Sequence, residues 1–162
     1  MLSATIGGMK KLVPLAFALL AMMGLTAVAL AGSNKTFTIA LNGKQESPKG
    51  DPNGHGTARI TLEQSRGKVC FRLGWHAISK PVASHIHLGK KGTSGPVLVP
   101  LFAGTAKRTG CVKASKSLIS KIAKHPANYY VNVHTRQFPG GAIRGQLGCS
   151  DLLIHYVQCT GT

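Results

Sequence analysis

Carboxylates are scarce in this chain: four Asp and Glu residues stand against twenty Lys and Arg in 162 residues. They are Glu46, Asp51, Glu63 and Asp151, and no two share an obvious strand face. Glycoside hydrolysis, which needs two facing carboxylates, is therefore excluded. No Gly-x-Ser-x-Gly, His-Glu-x-x-His or phosphate-binding glycine loop is present, which removes the usual hydrolase, metalloprotease and nucleotide-binding readings. Aromatic residues make up only 6% of the chain, with one tryptophan, and most fall in strand patterns. A reader of single-stranded nucleic acid interleaves exposed aromatics with its basic residues, so no specific nucleic-acid partner is expected. No Cys-x-x-Cys spacing exists, and no long apolar run follows residue 31.

The N-terminus carries a leader pattern. Lys10 and Lys11 precede an apolar run from Leu12 to Leu30, and Ala29-Leu30-Ala31 fits the small-x-small cleavage rule. Met9 already opens a complete leader by itself. The run is nearly long enough to span a bilayer, but Pro14, Gly24 and the cleavage pattern favour removal. The expectation is a signal peptide over residues 1–31, a secreted or periplasmic product and no membrane span after cleavage. The mature chain, 162 residues less 31, has 131, a length suited to one domain.

All four cysteines, Cys70, Cys111, Cys149 and Cys159, follow the leader. An even count in an exported chain implies disulfides, and four cysteines allow three pairings. Cleavage would remove Lys10 and Lys11 and lower the formal charge from +16 to +14. The remaining basic residues are spread along the chain, a field that attracts polyanions. The expected partner is a polyanionic surface ligand or a protein that the sequence does not name.

From residue 36 onward the pattern is short alternating strands between turn residues, the signature of an all-β fold. Strands are expected over Phe37–Leu41, Thr57–Leu62, Val69–Trp75, Ser84–Leu88, Pro96–Phe102 and Thr109–Val112. A hairpin of Asn128–Thr135 and Ala142–Leu147 follows, turning through Arg136-Gln-Phe-Pro-Gly-Gly141. Trp75 alternates with Val69, Phe71 and Leu73 and is read as core or core edge. One helix is expected over Ser115–Lys124, with Ser115 as cap, Leu118, Ile119 and Ile122 as its apolar stripe, and Pro126 beyond its end. Leu152–Val157 is apolar enough to add or cover an edge strand.

Successive strand side chains point to opposite faces. His85 and His87 therefore share a face that excludes Ile86. Tyr130, Asn132 and His134 share a face opposite Val131 and Val133, and Arg144 and Gln146 one opposite Ile143 and Leu147. The polar set His85, His87, Asn132, His134, Arg144 and Gln146 forms the candidate ligand face. Three imidazoles, His85, His87 and His134, suit copper or zinc. The bland alternatives are histidines bonded to backbone, Arg144 anchored on a carbonyl or on Glu46, and Asn132 paired across strands with Gln146. No residue is assigned a catalytic role.

Ala83 to Gly89, Gly95 to Leu101 and Asn128 to Leu147, above all Tyr130-Val-Asn-Val-His-Thr135 and Ile143-Arg-Gly-Gln-Leu147, together resemble the CHRD domain. The domain is named for chordin, where it repeats, and also occurs singly in bacterial secreted proteins. The resemblance spans Lys35 to Leu147, and Gln45-Glu46-Ser47-Pro48-Lys49 matches the family's Gln-Glu-Val-Pro-Pro stretch in part. It implies an immunoglobulin-like or Greek-key β-sandwich or barrel over residues 32–147, with the helix as a crossover. It implies a binding or structural module without established catalysis. Val69-Cys70 and Gly110-Cys111 resemble a Val-Cys and a later Gly-Cys of bacterial members. The resemblance thus implies pairs Cys70–Cys111 and Cys149–Cys159, the second pinning an extension over 148–162. The rival function is a periplasmic copper- or zinc-binding protein using the three histidines.

Overall fold

The structure, a computed structural model, describes residues 1–2 and 34–148. The leader, the Cys149–Cys159 pair and the Leu152–Val157 strand lie outside the described residues. Eight antiparallel strands form a single sheet, ordered β5-β4-β7-β8-β1-β2-β3-β6. They are β1 (Lys35–Asn42), β2 (His55–Glu63), β3 (Lys68–His76), β4 (Pro81–Leu88), β5 (Val97–Ala103), β6 (Thr109–Lys113), β7 (Tyr129–Thr135) and β8 (Ile143–Gln146). The sheet curls until its edges β5 and β6 approach one another, giving a nearly closed barrel. That is the barrel form of the expected all-β fold, and closure leaves little unpaired edge.

Register carries the core. Ile39 lies opposite Ala58 and Phe37 opposite Ile60, while Ala58, Ile60 and Leu62 face Leu73, Phe71 and Val69 on β3. Ile86 meets Val99 on one side and Val131 on the other. The period of two thus delivers every apolar set to the barrel interior, where these side chains are buried except for the partly buried Phe37. Pro100, lacking an N–H, is accommodated on the edge strand β5, where β4 also bulges beside His85 and His87.

Helix α1 (Lys116–Lys124) forms as its pattern predicts. Ser115 Oγ accepts the Leu118 N–H at 3.2 Å, and Ile119 and Ile122 are fully buried in the core cluster. The helix packs on β2 and β3, beside the turn where the Ala114 N–H donates to the Gly67 carbonyl. Trp75 is half-buried at the rim, with the Arg108 guanidinium 4.0 Å over its ring. Cys70 and Cys111 stand directly opposite on β3 and β6 and are joined by a disulfide, the pairing that the resemblance implied.

Candidate functional site

Strands β4, β7 and β8 lie side by side, and their outward positions come into line. His85 lies opposite Asn132, and His87 opposite Tyr130. Asn132 in turn lies opposite Arg144, and Tyr130 opposite Gln146, while Arg144 meets Asn42 of β1. His134 lies opposite Ala83, two positions from His85's partner. All six residues of the expected ligand face share one side of three adjacent strands. The expected Asn132–Gln146 cross-strand pair does not form, because the β7–β8 register sets each against a different partner.

This outer face is not a solvent face. Exposure is 1% for Asn132 and Arg144, 7% for His87, and 9% for His134 and Gln146. The β4–β5 loop covers it. Arg144 Nη1 donates to the Thr93 carbonyl at 2.8 Å, and Nη2 to the Lys90 carbonyl at 2.9 Å and to Gln146 Oε1 at 3.2 Å. Gln146 Nε2 donates to the carbonyls of Gly89 and Ala127. The Arg144 guanidinium also lies 3.3 Å over the Tyr130 ring, which stacks on His87 at 4.7 Å. A planar guanidinium with several donors suits this combination of forked bonding and stacking. The anchor on a carbonyl, one of the bland readings of Arg144, is thus present.

From the other side the β1–β2 loop brings in Glu46, 6% exposed, with Oε1 unpartnered. Ser94 Oγ donates to the Ser47 carbonyl and joins the two loops. Burial raises the Glu46 carboxyl to about 7, against the pull of the Arg144 charge and a hydrogen bond from Asn132. Gly141, at φ 134°, passes so close that a Cβ there would strike the carboxylate. Sequence reasoning placed Glu46 only as an anchor for Arg144 and left Tyr130 out of the ligand face. The partial Gln45-Glu46 match was the available signal for Glu46, and strand alternation was the signal for Tyr130.

The three histidines converge. One ligand nitrogen from each of His85, His87 and His134 lies within 4.8 Å of the others. His87 Nδ1 donates to the Gly95 carbonyl at 2.9 Å, and His134 Nδ1 to the Pro139 carbonyl at 2.9 Å. A carbonyl can only accept, so in the neutral His87 ring Nε2 carries the lone pair. The His87 Nε2 is buried and has no hydrogen-bond partner. The His134 Nε2 lies 3.1 Å from His85 Nδ1 and 2.9 Å from Asn132 Oδ1. Two nitrogens about 2.0–2.1 Å from one tetrahedral ion stand roughly 3.3 Å apart, so the His85–His134 spacing is close to a ligating one. Burial, reinforced by the neighbouring His134 and His87, lowers His85 to about 4. Burial also lowers His87 and His134 below the usual histidine range. All three are therefore neutral near pH 7, the state in which imidazole binds metal.

No curated protein and no solved structure matches the chain. A family model does: residues 37–147 match the CHRD domain. That span covers more than half of the sequence and takes in every site residue, so the chain belongs to the CHRD-domain family.

Proposed function

We propose that this CHRD-domain protein is an exported, non-catalytic binding module that holds one copper or zinc ion through His85, His87 and His134. The observation that carries the reading is the buried, unpartnered Nε2 of His87, placed beside two further imidazole nitrogens. An orphaned buried acceptor is costly, and a cation is the partner that a triad of neutral imidazoles fits. The backbone carbonyls of Gly95 and Pro139 fix the ring orientations from behind, as outer partners of metal-bound histidines commonly do. Arg144 and Gln146 frame the site rather than touch the ligand, since their polar atoms are spent on loop carbonyls and on one another, while Asn132 holds His134 through its Oδ1. The Cys70–Cys111 disulfide supports an oxidising compartment.

Titration calorimetry of metal-free protein with Zn²⁺, and separately with Cu²⁺, tests this. One ion per chain is expected, and His87→Ala should weaken binding at least about tenfold, as loss of a supporting group alone does in metal sites. Unaltered binding in His85→Ala, His87→Ala and His134→Ala proteins that still melt cooperatively would sink the metal reading. The histidines would then be structural members of a purely binding module.

A further inference from the structure

We propose that the outer face of β1, β2, β3 and β6, on strands separate from His85, His87 and His134, is a docking surface for an anionic polysaccharide. Register builds the face in rows. Thr38, Arg59, Arg72 and Thr109 form one row across four strands. Two positions along lies the row of Thr36, Thr61, Cys70 and Cys111, and beyond it Glu63, Lys68 and Lys113. Arg59 and Arg72 are directly opposed like charges, and so are Lys68 and Lys113. All four are exposed.

Like charges directly opposed on a sheet are destabilising. Glu63 is the single carboxylate on these rows, and its ion pair is with Arg66 at 3.6 Å. It lies opposite Lys68 but leaves Arg59, Arg72 and Lys113 without an acidic partner among the described residues. A face that tolerates two such pairs is built to be neutralised from outside. Strand spacing puts neighbouring charges about 5 Å apart across the sheet, and the two basic rows about 13 Å apart along β3. A linear polyanion lying along the strands meets both rows.

The rest of the face selects the kind of polyanion. Exposed threonines flank the arginines, offering hydroxyls suited to sugars. None of the outward positions on these rows is Phe, Tyr or Trp, which removes the stacking platform of a single-strand nucleic-acid binder. These rows carry no large apolar side chain to enter a bilayer, and a sheet face offers no helix to lie in a duplex groove.

The test uses the exported protein, with dextran sulfate as probe and uncharged dextran as its control. Affinity is measured across a salt series. Removing both arginines, Arg59→Ser with Arg72→Ser, should weaken binding at least tenfold at low salt. It should also lower the slope of log affinity against log salt by about 1–2, since each lost phosphate-like contact carries roughly 0.7–0.9. Lys121→Ser with Lys124→Ser removes the same charge from α1 and should leave both nearly unchanged. Arg59→Glu guards against a folding artefact: it creates an ion pair with Arg72, so it should keep or raise the melting temperature while weakening binding. Equal losses in the arginine and lysine double variants would overturn the proposal in favour of diffuse net charge. Tighter, arginine-dependent binding to duplex DNA than to dextran sulfate would overturn the polysaccharide as occupant.

Discussion

Glu46 and the three histidines bend stability with pH in opposite directions. Burial lowers His85 from 6.5 to about 4, and lowers His87 and His134 as well. Between those values the unfolded chain takes up protons that the folded chain refuses, so this contribution is lost as pH falls from about 6.5 towards 4. Glu46 is raised from 4.5 to about 7 by burial. The folded chain keeps its proton where the unfolded chain releases it, so this contribution is lost as pH rises from about 4.5 to 7. Glu46→Gln keeps the shape of the neutral acid and removes the second effect. Its melting temperature should climb from pH 4 to 6.5 and then level off to pH 8. A flat profile between pH 4 and 6.5 would show that the histidines are not held neutral. The candidate histidines were legible as residues because each sits on a strand whose alternation fixes its face. Glu46 was not, because it sits in a long loop with no period, and only the tertiary fold lays that loop over β8.

Among the elements, strands were read most fully. The alternation of β2, β3, β7 and β8 predicted which side chains turn inward, and the register bears this out. The loops were read least: 43–54 and 89–96 show in sequence only glycines, prolines and other turn residues, yet they roof the polar face of β4, β7 and β8 and make it a second buried layer. A sequence of turn residues shows where a chain reverses but not what it covers afterwards. Helix α1 was legible from its cap, stripe and terminating proline, but its place against β2 and β3 was not. Ile122 is fully buried there with Ile119. Ile122→Ala should cost about 2–5 kcal/mol by emptying a site that a rigid sheet cannot refill. Urea unfolding should show a lowered midpoint at an unchanged slope. A loss under about 1 kcal/mol would mean that the helix collapses into the vacancy, as compliant core sites do.

Among the described residues the strands form a nearly closed barrel whose edge strand, β6, is held to β3 by pairing and by one covalent link. The Cys70–Cys111 bridge closes a span of 41 residues, worth about 4 kcal/mol as an upper value in the chain-entropy view. Replacing both cysteines by serine should lower stability by about 2–4 kcal/mol while leaving the strand register intact. Denaturant curves of the native protein with and without reductant, beside the double variant, check this. Cys111 is exposed, so reductant should move the native protein to the stability of the variant. A reduced protein as stable as the oxidised one would show that strand pairing alone fixes β6.

By itself the sequence determined the strand class, the facing of each strand, the helix and the set of imidazoles, because periods of two and 3.6 are local properties of the backbone. It also held the cysteine pairing as one of three choices. Tertiary structure alone decided that the polar face is roofed, and that the Nε2 of His87 is left buried without a partner. It also decided that Arg59 meets Arg72 and Lys68 meets Lys113. Those are matters of register and loop path between residues far apart in the chain, which no local period encodes.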